Sequence, residues 1–156
     1  MIELRPATCN DLATLWDLRT RAVAHACTAH YSAAVLAVWL ASPAPDTLHE
    51  LLANGGGTVA IEDGRMLGYA VLNAVSGEVE GLFVEPARHG RGIGALLMRA
   101  VEEMARAAGQ PRLFLSASLN ALPFYQRAGF VALREEMYPH RSGIGIRSVY
   151  MEKLLG

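Results

Sequence analysis

The 156-residue chain has little of several features that define common protein classes. Lys153 is the only lysine, so arginine carries almost all of the positive charge, and the formal net charge is −1. Such a balance does not provide the basic surface of a nucleic-acid-binding protein. No apolar run is long enough to cross a membrane, and no signal peptide is recognisable. We therefore expect no nucleic-acid or membrane partner and a cytoplasmic location.

Cysteines and metal-binding patterns are equally sparse. Cys9 and Cys27 are the only cysteines. They are not spaced as CxxC and are too few for a disulfide framework, which favours a reducing compartment. The five histidines are scattered, without HxxxH spacing or pairing with cysteine. We predict no metal site, and one globular domain spanning residues 1–156.

The most informative segment runs from residue 78 to residue 104. Its pattern predicts a β-strand, a glycine-rich turn at Gly90, Gly92 and Gly94, and an amphipathic helix. Backbone N–H groups in such a turn can bind phosphate, helped by the helix N-terminus. Two known phosphate-binding loops do not match. A P-loop needs Lys and then Ser or Thr after its last glycine, but Ala95 and Leu96 follow Gly94. The dinucleotide fingerprint GxGxxG is not completed, because its last glycine is missing. From these residues alone, a phosphate-binding turn and a simple tight connection both remain open.

The rest of the chain predicts an α/β fold with a mixed sheet. Asp63-Gly64 joins two alternating runs as a hairpin, and Ser76-Gly77 turns into the strand beginning at Glu78. A helix then crosses to a strand that must lie parallel to it. The predicted strands are 2–5, 58–62, 66–73, one that begins at residue 78 and is ended by Pro86, 112–116, 130–135 and 148–153. The predicted helices begin near residues 8–10, 31–32, 46, 93 and 120.

Two motifs in this order resemble the GNAT N-acetyltransferase superfamily. LFVEPARHGRGIGALLM (82–98) is similar to the family's acetyl-CoA motif, and SLNALPFYQRAGF (118–130) is similar to its second motif. His89 departs from the usual Gln or Arg, although histidine can still donate to phosphate. The resemblance covers nearly the whole chain. It implies a mixed, mostly antiparallel sheet of about seven strands, flanked by helices and splayed between the fourth and fifth strands.

The resemblance also implies acetyl-CoA as co-substrate. Pyrophosphate would bind to the turn, and the pantetheine arm to strand main-chain groups and to Asn120. The residues implied in cofactor binding are Leu82, Phe83, Val84, His89, Gly90, Arg91, Gly92, Ile93, Gly94 and Asn120.

The catalytic groups follow from the chemistry of acetyl transfer. An amine near pKa 10.4 must lose a proton, which requires a base. Glu78 and Glu80 are the candidates: at period two they face the same side of the strand, together with Leu82 and Val84. By the resemblance, both match positions where members carry a catalytic Glu or His. We favour Glu80, which is nearer the splayed end of the strand, with Glu78 second. The resemblance implies Tyr125 as the acid for the departing thiolate. Two glutamates that merely line a solvated face remain the alternative.

The acceptor pocket implied by the resemblance lies between the first helices and the last hairpin. His30, Tyr31, Tyr138 and His140 are the predicted substrate-binding residues. Neither cysteine lies in the matched motifs, so we predict direct attack on acetyl-CoA by a primary amine of a small molecule or peptide. The resemblance is to bacterial acetyltransferases, and a homodimer is left open. The alternative is a non-catalytic acyl-CoA-binding or sensor domain, which Ser116 keeps open because relatives often carry Glu at this position.

Overall fold

The computed structural model describes residues 1–88 and 90–156. They form a seven-stranded sheet with helices packed on both faces, which confirms the predicted α/β class. The strands are β1 Glu3–Pro6, β2 Gly57–Glu62, β3 Arg65–Asn73, β4 Glu78–Val84, β5 Arg112–Ser118, β6 Val131–Pro139 and β7 Gly145–Leu154. The helices are α1 Leu12–Ala26, α2 Ala33–Ala41, α3 Asp46–Ala53, α4 Ile93–Ala107 and α5 Leu122–Arg127. None of the helices in these two ranges has both the length and the apolar character needed to span a bilayer.

The strands are ordered β1-β2-β3-β4-β5-β7-β6. Every neighbouring pair is antiparallel except β4 and β5, which are parallel as the crossing helix requires. Within the described chain, Glu78 opposite Phe114 is the one residue pair in the β4–β5 register. Beyond it the two strands diverge, while β5 stays paired with β7 along its whole length. The predicted splay between the fourth and fifth strands is confirmed.

The β2–β3 hairpin confirms the turn prediction. Asp63 and Gly64 have φ angles of 51° and 75°, so both adopt the left-handed conformation of a two-residue hairpin turn. Glu62 pairs with Arg65 on either side of it. This turn fixes the register of the meander that leads into β4.

Hydrophobic cores lie on both faces of the sheet. On one face, α4 and α5 cover alternate residues of β3, β5 and β7, with Leu97, Leu113 and Met151 fully buried. On the other face, α1 and α3 pack against the residues of β2 and β3 that point away from α4, including Val59 and Tyr69. The predicted amphipathic helix α4 buries Met98, Glu102 and Ala105 on its inner side, while Ala108 is exposed and caps the helix.

Lys153, the single lysine, connects β7 to α4 and to the end of α5. The Lys153 ammonium donates to Glu102 of α4 at 3.0 Å and to the Ala128 carbonyl after α5 at 2.7 Å. It therefore satisfies both a largely buried carboxylate and a helix C-terminus. This contact ties β7 to the two helices that flank the β4–β5 gap.

A β-bulge corrects one prediction for β4. Val71 pairs with Gly81 and Leu72 with Val79, so Glu80 has no partner on β3. The extra residue reverses the alternation beyond it. Leu82 and Val84 therefore pack with Val79 on the α4 side, whereas Glu78 and Glu80 project from the opposite face. The prediction that all four side chains share one face is wrong, because period-two counting assumes an unbroken strand.

The last hairpin is longer than predicted. β6 extends to Pro139 and β7 begins at Gly145, so both strands continue into the segment between the predicted strands 130–135 and 148–153. Tyr138 pairs with Ile146, which makes it a strand residue near the tip of the hairpin. Pro139 and Gly143 are turn-forming residues, which favours a loop from the sequence alone, and pairing between β6 and β7 extends the strands towards them.

Candidate active site

The candidate site is built around the gap between β4 and β5. After Glu78, the edge of β4 that faces β5 has no strand partner in the described register. Unpaired strand N–H and C=O groups can bind an extended ligand arm as they would bind another strand. Leu82, Phe83 and Val84 lie on this edge, so the predicted cofactor-binding main chain borders the gap.

One end of the gap leads to the glycine-rich turn. Gly90 and Gly92 have φ angles of 82° and 75°, and Gly92 is the N-cap of α4. The Leu96 N–H donates to the Gly92 carbonyl at 3.1 Å and closes the first helical turn. The N–H groups of residues 93–95 therefore have no intrahelical acceptor and suit an anion. Such a turn can hold a phosphate group, and the predicted pyrophosphate site stays a prediction.

Two residues of the predicted turn, Gly94 and Arg91, lie against identified neighbours. A Cβ on Gly94 would lie 2.8 Å from the Phe124 ring, so this glycine allows α4 to approach α5 closely. Arg91 forms a bidentate ion pair with Glu62, in which each terminal guanidinium nitrogen lies 2.9 Å from one carboxylate oxygen. Its guanidinium is thereby held over β2. His89 lies outside the described residues, so its predicted role stays a prediction.

Tyr125 lies on α5 and is 7% exposed. Its ring packs edge-on against Phe124 and Phe130, with centroid distances of 5.2 and 5.6 Å. Burial raises the pKa of its phenol, so the hydroxyl remains protonated at neutral pH. An immobilised phenol of this kind still carries a proton that it can donate to a strong base such as a thiolate.

Asn120 is held by a partner that the sequence did not indicate. The Cys27 thiol, at the C-cap of α1, donates to the Asn120 Oδ1 at 3.0 Å. Because Oδ1 is engaged, the amide Nδ2 is the group left to donate to a ligand. Burial raises the pKa of the Cys27 thiol to about 11, so it stays a neutral donor.

The two glutamates of β4 form a coupled pair on the face opposite α4. Glu78 is partly buried and Glu80 is exposed on the bulge. Burial, followed by the charge of Glu80 and a hydrogen bond to it, raises the pKa of Glu78 to about 7. Burial also raises the pKa of Glu80, while hydrogen bonds from Asn73 and Glu78 oppose that rise. The pair can thus take up a proton near neutral pH.

Tyr138 faces this pair from β6. Burial and the charges of Glu78 and Glu80 raise the pKa of its phenol, which the Arg141 charge opposes. Its side chain is 44% exposed. Among the predicted acceptor residues, Tyr138 therefore combines solvent access with proximity to the two carboxylates.

His140 is 9% exposed and bonded at both ring nitrogens. Nε2 lies 3.4 Å from the Ser42 hydroxyl, and Nδ1 lies 2.7 Å from the Ser142 hydroxyl and accepts its backbone N–H at 3.2 Å. Because Ser42 donates to the Val38 carbonyl, the network fits a neutral ring with its proton on Nε2. Burial lowers the pKa of His140, consistent with that state. The residue fastens the last hairpin to the end of α2.

The other two predicted acceptor residues follow α1. Tyr31 donates through its hydroxyl to the Arg147 carbonyl at 2.6 Å and accepts the Leu119 N–H at 3.0 Å. Its ring packs edge-on against Trp39 at 5.2 Å. Tyr31 thus links the α1–α2 connection to β7 and to the segment after β5. His30 is exposed on the turn preceding it.

Two site residues were missed from the sequence: Cys27 and Asn73. Cys27 lies 93 positions from Asn120, so no local spacing could relate them. Asn73 stands before the Ser76-Gly77 turn, where asparagine usually means only turn formation. Across residues 1–88 and 90–156, no cluster of three or more His, Cys, Asp or Glu side chains could hold a metal ion.

Sequence relatives are consistent with this architecture. The uncharacterized N-acetyltransferase YafP of Escherichia coli K12 is 26% identical over 150 residues, which are 96% of this chain and 94% of that protein. Glucosamine 6-phosphate N-acetyltransferase of Trypanosoma brucei is 34% identical over 61 residues. That match spans 39% of this chain and 42% of the trypanosome protein.

Solved structures share the fold. A GCN5-related N-acetyltransferase from Rhodopseudomonas palustris superposes with a TM-score of 0.87 at 25% identity, covering 98% of this chain and 95% of that one. The PaiA N-acetyltransferase of Thermoplasma acidophilum gives 0.77 at 20% identity and covers 99% of both chains. A family model for the acetyltransferase (GNAT) domain matches residues 27–155. The chain therefore belongs to the GNAT acetyltransferase family and is an acyltransferase.

Proposed function

We propose that this enzyme transfers the acetyl group of acetyl-CoA to a primary amine of a small molecule or peptide, by direct attack of the amine. The observation that carries the proposal is the coupled Glu78–Glu80 pair, which lies on the accessible face of β4 beside the β4–β5 gap. It offers a proton acceptor that works near neutral pH, which amine acetylation requires. A cytoplasmic location is part of the proposal, and a homodimer is left open.

Acetyl-CoA would supply the activated acyl group. The T. acidophilum neighbour was solved in complex with coenzyme A, which supports the same ligand here. In this chain, the N–H groups at the start of α4 would bind the pyrophosphate, and the free edge of β4 and the Asn120 amide would bind the pantetheine arm. The space around Gly90 and Gly92 fits this, because a Cβ at either position would meet no atom within 4 Å.

The Glu78–Glu80 pair would remove the proton from the acceptor ammonium. Burial and the charge of Glu80 raise the pKa of Glu78 to about 7, so the pair takes up one proton near neutral pH. Glu80 is the more exposed carboxylate, so it would meet the amine, and Glu78 would share the proton. The two carboxyls would therefore act together as a single base.

Tyr125 would protonate the departing thiolate. Its neighbours Phe124 and Phe130 fix the ring, and burial keeps the phenol protonated. The proton leaves the phenol as the thiolate departs and returns from solvent before the next turnover. Base and acid therefore come from different elements, β4 and α5.

The state of the cysteines supports direct attack. A covalent acyl-cysteine route needs a thiolate. Cys27 is buried with its pKa raised to about 11, and its proton is donated to Asn120. Cys9 contacts the His49 carbonyl of α3 at 3.6 Å, remote in the fold from the β4–β5 gap.

The acceptor would enter between the α1–α2 connection and the last hairpin. Tyr138 is the strongest candidate for direct contact with it, since the phenol is accessible and near both carboxylates. His30 is exposed at the rim. Tyr31 and His140 would shape the entrance, because their polar atoms are engaged with neighbouring chain segments.

A screen of primary amines tests the function directly. Purified protein is incubated with acetyl-CoA and small-molecule and peptide amines, while free thiol release is followed. We expect amine-dependent release that disappears in the Glu78→Gln/Glu80→Gln double variant. Tight acetyl-CoA binding without release for any amine would favour a non-catalytic acyl-CoA-binding domain instead.

A further inference from the structure

Arg19 of α1 is a buried cation without a carboxylate partner. Its side chain is almost fully enclosed, since the residue is 3% exposed. The guanidinium donates to the Thr20 hydroxyl at 3.1 Å and to the Trp39 carbonyl at 2.7 Å, and both of these oxygens are neutral. None of the ion pairs within residues 1–88 and 90–156 includes it. A buried charge without a counter-ion is costly, so an anion bound nearby would be stabilised.

Arg141 brings a second cation to the same indole ring. The guanidinium carbons of Arg19 and Arg141 lie 4.2 and 5.9 Å from the centroid of the Trp16 ring. Arg141 is exposed, and it too is absent from the ion pairs of the described chain. Two arginine cations therefore lie on one ring, and no carboxylate of the described residues pairs with either of them.

The position of Arg141 is set by the residue before it. The His140 ring contacts the Ser42 hydroxyl at 3.4 Å, and the Trp16 indole N–H donates to the Ser42 carbonyl at 3.1 Å. Ser42 thus holds both the turn between β6 and β7 and the ring on which Arg141 lies. The guanidinium reaches from the last hairpin to α1, across the entrance proposed for the acceptor.

These cations lie on the same face of the sheet as the two glutamates of β4. Trp39, whose carbonyl accepts from Arg19, packs against Phe83 of β4. A Cβ on Gly81, the residue after the bulge, would lie 3.4 Å from the Phe83 ring. A continuous set of contacts therefore leads from the buried guanidinium to the bulge. The site has carboxylates at one end and guanidinium groups at the other.

Tyr138 is close to both charged groups. Burial and the charges of Glu78 and Glu80 raise the pKa of its phenol, and the Arg141 charge lowers it. The residue also precedes the anchored turn on the same hairpin. An acceptor beside this phenol would therefore have the glutamate pair and a guanidinium within reach at the same time.

We propose that the acceptor is a small amine that also carries a carboxylate, which Arg141 binds with the buried charge of Arg19 behind it. The amine of the same molecule would face the glutamate pair. Arginine suits this role because its planar guanidinium binds a carboxylate through two parallel hydrogen bonds. The inference rests on the proposed function, in which the glutamate pair accepts the amine proton.

Matched acceptors test the inference in the active enzyme. ω-Amino acids of increasing chain length are compared with their carboxamides, which keep the amine and lose the negative charge. We expect kcat/KM to be about 10–100-fold higher for the best acid than for its amide, as for a hydrogen-bonded charge pair. Ethanolamine phosphate is included because guanidinium groups also bind phosphate. A phosphate acceptor that reacts faster than every carboxylate would overturn the choice of carboxylate.

Variants of the hairpin identify the residue responsible. Arg141 is exposed, so its side chain can be replaced without disturbing the core. We expect Arg141→Gln to abolish the preference for acids and leave kcat/KM for the amides unchanged, while Arg141→Lys retains part of the preference. Arg147→Gln is the matched control, because it removes an exposed arginine of the same hairpin that is paired with Glu135 at 2.8 Å. An equal loss of the preference in Arg147→Gln would show a general effect of net charge and overturn the inference.

A binding measurement separates this inference from the proposed function. N-acetylated ω-amino acids lack a reactive amine, so they probe the carboxylate site without turnover. We expect them to shift an arginine Nε–H NMR signal that is missing in Arg141→Gln, and we expect their amides to leave it in place. Such a shift in a protein that acetylates no amine would keep the carboxylate site and reject the proposed acetylation. Equal kcat/KM values for acids and amides in an active enzyme would do the reverse, and no shift together with no turnover would reject both.

Discussion

The thiol of Cys27 donates a hydrogen bond to the side-chain oxygen of Asn120 at 3.0 Å. The bond joins the end of α1 to the segment after β5, across the side of the sheet from which the acceptor would enter. It fixes the amide that would bind the pantetheine arm. A cysteine with a raised pKa serves here as a neutral, buried donor rather than as a nucleophile.

Cys27→Ala should therefore act on cofactor binding. Without the donor, the Asn120 amide can rotate, and we expect the KM for acetyl-CoA to rise about 3–10-fold, equivalent to the loss of one hydrogen bond. Steady-state kinetics with acetyl-CoA varied measures the change. Cys9→Ala is the control and should leave this KM unaltered. An unchanged KM in Cys27→Ala would show that Asn120 does not depend on the thiol.

Tyr125→Phe removes the proposed acid while preserving ring packing against Phe124 and Phe130. Since general acids contribute about 10²–10⁴-fold, we expect kcat to fall by that factor with the Kd for acetyl-CoA unchanged. Stopped-flow thiol release and calorimetric titration measure the two quantities. Tyr69→Phe, which alters another buried tyrosine, should keep kcat near wild type. Retained turnover in Tyr125→Phe with the normal pH dependence would exclude the phenol as the acid.

Local sequence patterns predicted much of this fold. Asp63-Gly64 can adopt the two left-handed conformations of a hairpin turn with little strain, and the apolar spacing of α4 leaves one face to bury. Gly92 was likewise placed at the helix start by its position alone. These features depend on neighbouring residues, so one sequence is enough to predict them.

The remaining features depend on distant residues. The bulge at Glu80 is located only when β4 is aligned with β3. Gly81 inside the strand is a residue type that often accompanies a bulge, but it does not say where the register shifts. Likewise, His140 was predicted to contact substrate, but its ring meets Ser42 of α2, 98 positions away. In both cases the surroundings of a site residue depend on contacts between distant segments, which exist only in the assembled fold.

Glu78→Gln tests the coupled pair through stability. The pKa of Glu78 is raised from 4.5 to about 7 in the folded protein, so the native state holds this proton more tightly than the unfolded state. Wild-type stability therefore falls as pH rises from about 4.5 to 7, and the deficit is complete above that range. Glutamine does not ionise, so the Glu78→Gln variant does not lose this stability as the pH rises. We expect Glu78→Gln to gain on the order of 1–2 kcal/mol at pH 8, after discounting for solvent screening, and nothing below about pH 4.5.

Urea unfolding at both pH values measures this gain. Glu103→Gln removes the same charge from the exposed face of α4 and should change stability by less than about 0.5 kcal/mol at either pH. The stabilised Glu78→Gln enzyme should also lose activity, since the carboxyl that takes up a proton with a pKa of about 7 is then absent. A Glu78→Gln protein that is no more stable at pH 8 than wild type would contradict the raised pKa.

Gly92→Ala separates the strain of the turn from its role in binding. Gly92 has φ 75°, so alanine there costs about 1 kcal/mol of stability and pulls the N–H groups at the start of α4 out of line. Gly109, with φ 78° after the end of the same helix, provides the matched control. Both alanine variants should lower the Tm similarly, because both place a Cβ in the left-handed region with no atom within 4 Å.

Only Gly92→Ala should weaken the cofactor interaction. We expect its KM for acetyl-CoA to rise about tenfold, or ~1.4 kcal/mol, while Gly109→Ala keeps the wild-type value. Desulfo and full-length coenzyme A would both compete less well, whereas pantetheine, which lacks the pyrophosphate, should inhibit both variants equally. Equal KM values in the two alanine variants would show that the start of α4 does not bind the pyrophosphate, because strain alone would then account for every effect of Gly92.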